Sequence, residues 1–274
     1  MRTLPTPQHA RTLTTDELRA HFLVQDLFVP GALTLQHVDL DRVVLGGVVP
    51  LAEALVLDAP ASLRARFFCE RRELGVLNIG GAGSVVVDGA EHALAAHDVL
   101  YVGRGTQDVR FTSADASEPA RFYLVSYPAH AGHPTRLVRP QDADVLELGT
   151  PATANRRRVR RYIHAGGALS CQLVMGVTTL DTGSVWNTMP AHTHDRRTEV
   201  YLYFALPPEA MVVHLLGEPT ETRSLIVRDG EVALSPGWSI HAGCGTQAYA
   251  FCWAMGGENQ DYADMDMVGM ETIR

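Results

Sequence analysis

Short β-branched runs broken by turn residues dominate this chain and leave little room for helices. Val85-Val86-Val87 ends at Asp88-Gly89, and Leu225-Ile226-Val227 ends just before Asp229-Gly230. Asp-Gly beside such runs is a strong local signal for a tight turn. Helical periodicity is scarce. Its clearest trace is Asp16-Glu17-Leu18-Arg19 behind Thr14-Thr15, which reads as a capped helix start. Many short strands with regular turns point to an all-β sandwich or barrel. At 274 residues, 46% of them hydrophobic, the chain has material for one large domain or two ordinary ones.

A degenerate internal repeat favours two. His97-Asp98-Val99-Leu100-Tyr101-Val102-Gly103 lies over Gly230-Glu231-Val232-Ala233-Leu234-Ser235-Pro236, and continuing without a gap puts Asp108 where His241 stands. Glu70-Arg71-Arg72-Glu73 echoes Asp195-Arg196-Arg197-Thr198 in the same way. Each half then reads as one copy of a β-unit. With the stretch from Pro128 to Pro140 as connector, the expected domains are 1–140 and 141–274.

The residue inventory excludes several chemistries. The net charge of −8 gives no electrostatic reason to seek phosphate backbones or anionic membranes, so nucleic acid is not an expected partner. No segment approaches the roughly 18 apolar residues of a membrane-spanning helix. The polar, proline-broken start Met1-Arg2-Thr3-Leu4-Pro5 lacks the apolar stretch of a secretory signal, and a cytoplasmic location is expected. Cys69, Cys171, Cys244 and Cys252 form no Cys-x-x-Cys pair, and reduced thiols are expected. All 23 basic residues other than histidine are arginine. Without lysine there is no Schiff base, and any carbonyl chemistry needs a metal or hydrogen-bond donors for activation.

A metal is what the sequence offers. In Pro190-Ala191-His192-Thr193-His194, the two histidines of a strand project to one face. Glu199 opens the next β-rich run and adds an oxygen donor. Pro236-Gly237-Trp238-Ser239-Ile240-His241 adds a third imidazole about one hairpin later. His192, His194, Glu199 and His241 together suit zinc, iron, manganese, nickel or cobalt. His214, alone in the apolar run Met211-Val212-Val213-His214-Leu215, reads as a core residue rather than a fifth ligand.

The spacing His-x-His-x4-Glu followed by Pro-x4-His resembles the two cupin motifs. Longer strings narrow the resemblance: Arg71-Arg72-Glu73-Leu74-Gly75-Val76-Leu77-Asn78-Ile79-Gly80-Gly81, Trp186-Asn187-Thr188-Met189-Pro190, Ser239-Ile240-His241 and Gly257-Glu258-Asn259-Gln260. These are similar to the 5-dehydro-4-deoxyuronate isomerases (4-deoxy-L-threo-5-hexosulose-uronate ketol-isomerases) of pectin breakdown, from about Phe22-Leu23-Val24 to the end of the chain. The resemblance implies a double-cupin fold, one zinc per subunit on His192, His194, Glu199 and His241, and a hexamer. In the first half, Phe68 and Cys69 occupy the region of the histidine pair and Asp108 replaces the last histidine. That half is expected to bind no metal.

The resemblance also implies the reaction. The C1 aldehyde of an open-chain 4-deoxy-5-keto uronate becomes a C2 ketone, with proton transfer from C2 to C1 through an enediolate. By strand alternation Tyr201 and Tyr203 share the face of Glu199 and are candidates to meet the substrate. Glu199, Glu258 and Asp195 are candidate bases. The substrate carboxylate calls for the planar fork of arginine. Candidates are Arg196, Arg197, Arg223 and the cluster Arg156-Arg157-Arg158 with Arg160-Arg161. On ligand identity alone, a 5-deoxyglucuronate isomerase, an iron-dependent cupin dioxygenase and a sugar-acid-binding cupin without activity stay open.

Overall fold

A computed structural model describes residues 1–258 and 261–274, so the Asn259-Gln260 end of one family-like string lies outside the described residues. The fold is all-β with few short helices, as expected. The helix Thr15–Phe22 begins where the sequence places it, with Thr14 and Glu17 capping each other's backbone. The chain divides into two compact units, each of three segments. One comprises Met1–Arg2, Asp26–Asp144 and Tyr162–Met175; the other comprises Thr3–Gln25, Val145–Arg161 and Gly176–Arg274.

The internal repeat is written into the strand register. In a six-stranded sheet, Arg72–Asn78 lies between Val99–Val102 and Phe122–Pro128, with Leu74 opposite Val102 and Ser126. In a seven-stranded sheet, Arg197–Phe204 lies between Val232–Ser235 and Ala250–Gly257, with Glu199 opposite Ser235 and Met255. Leu74 therefore holds in the first copy the place that Glu199 holds in the second. Two four-stranded sheets repeat the pattern. The first runs Leu55–Val56, Val109–Ser113, Gly83–Val87, Ala90–Leu94, and the second runs Trp186–Asn187, Ala242–Gly245, Val212–Glu218, Glu221–Val227. Asp108 and His241 each immediately precede the corresponding strand, as the ungapped alignment requires.

The turn signals resolve differently. Asp88 and Gly89, both with positive φ, make the two-residue turn of a hairpin that pairs Val87 with Ala90. Asp229-Gly230 instead carries the chain from one sheet to another, because Glu221–Val227 and Val232–Ser235 belong to different sheets. The stretch Pro128–Pro140 is not a bare connector. Its Arg136–Val138 segment pairs with Val99–Val102 at the edge of the six-stranded sheet.

The interior of the first unit is aliphatic and aromatic. Leu74, Val76, Leu100, Val102, Phe111 and Phe122 pack between its two sheets. On the other face of its central strand, Glu73 is fully buried. Its carboxylate accepts the backbone N–H groups of Cys171, Gln172 and Leu173 and the Tyr101 hydroxyl, at 2.6–2.9 Å. Four donors fill one buried anion's acceptor sites, which is what makes its burial tolerable. Replacing Glu73 with glutamine turns one acceptor into a donor aimed at other donors. The expected cost is about 2–3 kcal/mol, read as a lower urea midpoint with an unchanged slope. Wild-type stability in Glu73→Gln would contradict this.

Candidate metal centre

The four residues singled out by spacing meet in one buried cluster, all within the second unit. Each arrives on a different piece of backbone. His192 lies in the short strand His192–Thr193, opposite Met267. His194 follows it, its N–H bound to the Gly237 carbonyl. Gly237 has to be glycine there, since a Cβ would fall 2.5 Å from the His194 carbonyl oxygen. Glu199 is two residues into the strand Arg197–Phe204, and His241 ends the Pro236–His241 turn.

Their donor atoms form a closed ring. His192 Nε2 stands 3.2 Å from His194 Nε2 and 3.0 Å from His241 Nε2, while Glu199 Oε2 stands 3.2 Å from His194 Nε2 and 2.9 Å from His241 Nε2. Donors held about 2.0–2.1 Å from one centre stand about 2.9–3.4 Å apart at octahedral or tetrahedral angles. The ring fits a single ion.

The proton inventory says the same. His194 Nδ1 lies 2.7 Å from the Asp264 carbonyl oxygen, which can only accept, so Nδ1 carries the proton and Nε2 presents a lone pair. The Ser235 hydroxyl donates to the Ser239 carbonyl and so accepts from His241 Nδ1 at 3.1 Å, leaving the Nε2 of His241 bare as well. Burial, then His241, pushes His192 down to about 2, so it too is neutral. Burial alone would raise the Glu199 carboxyl, but His241 and His194 hold it well below the usual carboxylate range. Three imidazole Nε2 atoms and a carboxylate thus converge on one point with their Nδ1 contacts made outside the ring, and a bound cation takes the place of the protons that otherwise lie between the imidazoles and Glu199. The hydrogen bonds to Asp264 and Ser235 orient the imidazoles as outer partners of metal sites do.

The cluster opens onto a cavity of about 370 Å³. His192, His194, Glu199 and Tyr201 line it, with Thr188 and Arg157. The rest of its wall is mostly apolar, including Met189, Phe251, Trp253 and Met255. Gly176 makes room for Trp253, because a Cβ there would lie 2.1 Å from the indole ring. Burial, and next Glu199, push the Tyr201 phenol well above its ordinary range, so at neutral pH it is a donor rather than a base. Its hydroxyl lies 3.1 Å from that of Thr188.

The other expected residues lie elsewhere. The Tyr203 hydroxyl contacts His214 Nδ1 at 2.8 Å, and both side chains are buried outside the cavity wall. His214 is thus a core residue and not part of the donor ring. Glu258, Asp195 and Arg196 are exposed and do not line the cavity. Arg223 donates to the carbonyls of Ala10, Arg11 and Leu13. The guanidinium of Arg161 sits over the Tyr262 ring at 5.1 Å. Arg197 is buried beneath the site, where it donates at 2.8 Å to the same Asp264 carbonyl that orients His194. Thr188, Tyr262 and Ser235 were not singled out by sequence reasoning. Ser235 stands in the repeat string and Thr188 in a family-like string, but neither string says what the hydroxyl touches.

A metal titration of the purified chain tests the assignment. One divalent ion per chain is expected, with no stoichiometric binding in His192→Ala. Ser235→Ala is expected to weaken affinity by about 10- to 100-fold. Equal affinity in Ser235→Ala and wild type would contradict the role given to that hydroxyl.

Comparison with known proteins places this geometry. The family model described as the KduI/IolB family matches residues 33–270. The 4-deoxy-L-threo-5-hexosulose-uronate ketol-isomerase of Kineococcus radiotolerans is 55% identical, over 98% of this chain and 97% of its own. That of Lachnoclostridium phytofermentans is 48% identical, over 100% of this chain and 99% of its own. Among solved structures, an IolB-like protein from Salmonella typhimurium LT2 superposes with a TM-score of 0.74 at 17% identity, covering 90% of this chain and 96% of its own. The Bacillus subtilis oxalate decarboxylase, a protein with Mn(II) centres, gives a TM-score of 0.58 at 11% identity, covering 82% of this chain and 71% of its own. The shared architecture is the double cupin, its sheets open at their edges here. On the match over residues 33–270 and on end-to-end relatives of this identity, the chain belongs to the KduI/IolB family.

Proposed function

We propose that this chain is a metal-dependent aldose–ketose isomerase that converts 5-dehydro-4-deoxy-D-glucuronate to 3-deoxy-D-glycero-2,5-hexodiulosonate in the breakdown of pectin and related uronate polymers. The observation that carries the reading is the lone-pair ring of His192, His194, Glu199 and His241 at the wall of a cavity, in a chain whose full-length relatives bear that ketol-isomerase name. The ion proposed is zinc, one per subunit. A hexamer, on resemblance, and a cytoplasmic location complete the proposal. The second unit is the catalytic one. The first, with Leu74 in place of the glutamate and Asp108 bound to Arg110 at 2.8 Å, serves as scaffold.

A divalent ion in the ring supplies a Lewis acid for the oxygen on which negative charge develops as a proton leaves C2. The chain's own groups supply the rest. Tyr201, protonated beside Thr188, donates a hydrogen bond to a substrate oxygen. The apolar wall around Phe251, Trp253 and Met255 limits water and so strengthens both interactions. Glu199 keeps an ionised carboxylate among the imidazoles. It is the oriented candidate base within the ring, though a weak one while it ligates the metal, and Glu258 and Asp195 act only if the exposed segments that carry them reach the substrate.

Proton NMR of the metal-loaded protein with fresh 5-dehydro-4-deoxy-D-glucuronate is expected to show the 2,5-diketo product, lost with a chelator and restored by zinc. Turnover of 5-deoxyglucuronate instead, or oxygen consumption by an iron-loaded sample, would overturn the substrate or the reaction class respectively. Tyr201→Phe is expected to lower kcat by about 10- to 100-fold with little change in metal content, since it removes one donor from a developing charge.

A further inference from the structure

An arginine in the cavity has no carboxylate partner among the described residues. Arg157 lies on the strand Arg157–Ile163 and lines the cavity together with Val159, its neighbour on the same strand face. It is the one guanidinium among the lining residues, which also include His192, His194 and Glu199 of the metal ring. Among the described residues its side chain makes one hydrogen bond, from Nη1 to the Asn155 carbonyl at 2.8 Å. No carboxylate of the described residues pairs with it, whereas its neighbours are engaged: Arg156 with Asp181 at 3.1 Å and Arg158 with Glu147 at 2.9 Å. Burial pulls Arg157 below the ordinary arginine value, and the groups that counter this are Tyr262, Tyr201 and Tyr249, neutral phenols at neutral pH.

A half-buried guanidinium without a counter-ion is costly unless a ligand supplies the anion. With Nη1 bound to Asn155, the Nε–Nη2 edge remains, the edge that takes a carboxylate through two parallel hydrogen bonds. We propose that Arg157 binds the substrate's carboxylate by this edge, so that the cavity holds an open-chain sugar acid at two points, the acid group on Arg157 and the reacting carbonyl end at the metal ring. The apolar wall shared by the two points suits a chain whose middle lacks a hydroxyl. Selection of a sugar acid over a neutral aldose then resides in Arg157. This rests on the isomerase reading for the identity of the substrate, but not for the anion site itself.

The test uses metal-loaded wild type, Arg157→Met and Arg157→Lys. Methionine keeps much of the packing volume and removes the charge. With 5-dehydro-4-deoxy-D-glucuronate, Arg157→Met is expected to raise KM roughly 10- to 100-fold while kcat changes less, the pattern for contact made equally in ground and transition states. Arg157→Lys should fall between the two. Metal content should be unchanged, and the melting temperature should hold or rise, because an unpaired desolvated charge is gone; an arginine with a structural role would lower it. A second readout is tryptophan fluorescence, since Trp253 lines the same cavity. D-glucuronate is expected to perturb it in wild type, D-glucose not, and Arg157→Met should abolish the difference. If wild type does not turn over the uronate but shows this Arg157-dependent discrimination, the isomerase reading fails and the anion site stands. A KM in Arg157→Met within about twofold of wild type overturns the proposal, as does wild type that neither turns over the uronate nor distinguishes D-glucuronate from D-glucose.

Discussion

Four acceptors pointed at one another inside a protein repel, and the second unit is organised around relieving that repulsion. His194 and His241 present bare Nε2 atoms because the Asp264 carbonyl and the Ser235 hydroxyl hold their Nδ1 protons. Glu199 sits 2.9 Å from one of them and 3.2 Å from the other. Such a cluster is tolerable only around a positive charge. The cost of assembling it explains why its supports are so specific. Gly237 lets two backbones touch, Arg197 is buried where it ties down the Asp264 carbonyl, and the register opposes Ser235 to Glu199.

The first unit shows the same frame without that charge. Identical register puts Leu74 opposite Val102 where the second unit has Glu199 opposite Ser235. Leucine and valine at those two positions extend the aliphatic core, while the glutamate supplies a ligand and the serine the hydroxyl that orients His241. Asp108, in the place of His241, pairs with Arg110 and is partly exposed. One β-framework thus supports a packed interior in one copy and a reactive one in the other. What differs is a few inward-facing side chains rather than the topology. Tyr203 and His214 illustrate the transition. They are polar and buried in the second unit, and they hydrogen-bond each other behind the site instead of lining it.

Much of this was legible in the sequence because period and spacing are local. The alternation of strands puts Glu199, Tyr201 and Tyr203 on one face, and the ungapped repeat aligns Asp108 with His241. Depth along a face was not legible. Tyr201 reaches the cavity while Tyr203, two residues on, lies behind it, and Arg197, two residues before Glu199, lies beneath it. Nor could the sequence rank the arginines. Arg156, Arg157 and Arg158 are consecutive, yet alternation sends only Arg157 into the cavity, and the pairing of Arg156 and Arg158 with Asp181 and Glu147 depends on how the chain folds. Ser235 and Thr188 act through short hydroxyls that meet His241 and Tyr201, and which way such a hydroxyl turns is set by the folded backbone rather than by a motif. The connector Pro128–Pro140 reads as loop from its prolines and histidines, but an open sheet edge recruits Arg136–Val138 as a strand.

X-ray absorption at the metal edge of the purified protein tests the central claim most directly, because it sees the donor atoms without requiring turnover. The expected spectrum has a first shell of nitrogen and oxygen at about 2.0–2.2 Å with the multiple scattering of three imidazoles, and His192→Ala retains no such centre after dialysis. A shell containing sulfur, or a protein that retains no metal after dialysis, would contradict the assignment of His192, His194, Glu199 and His241 as one metal centre.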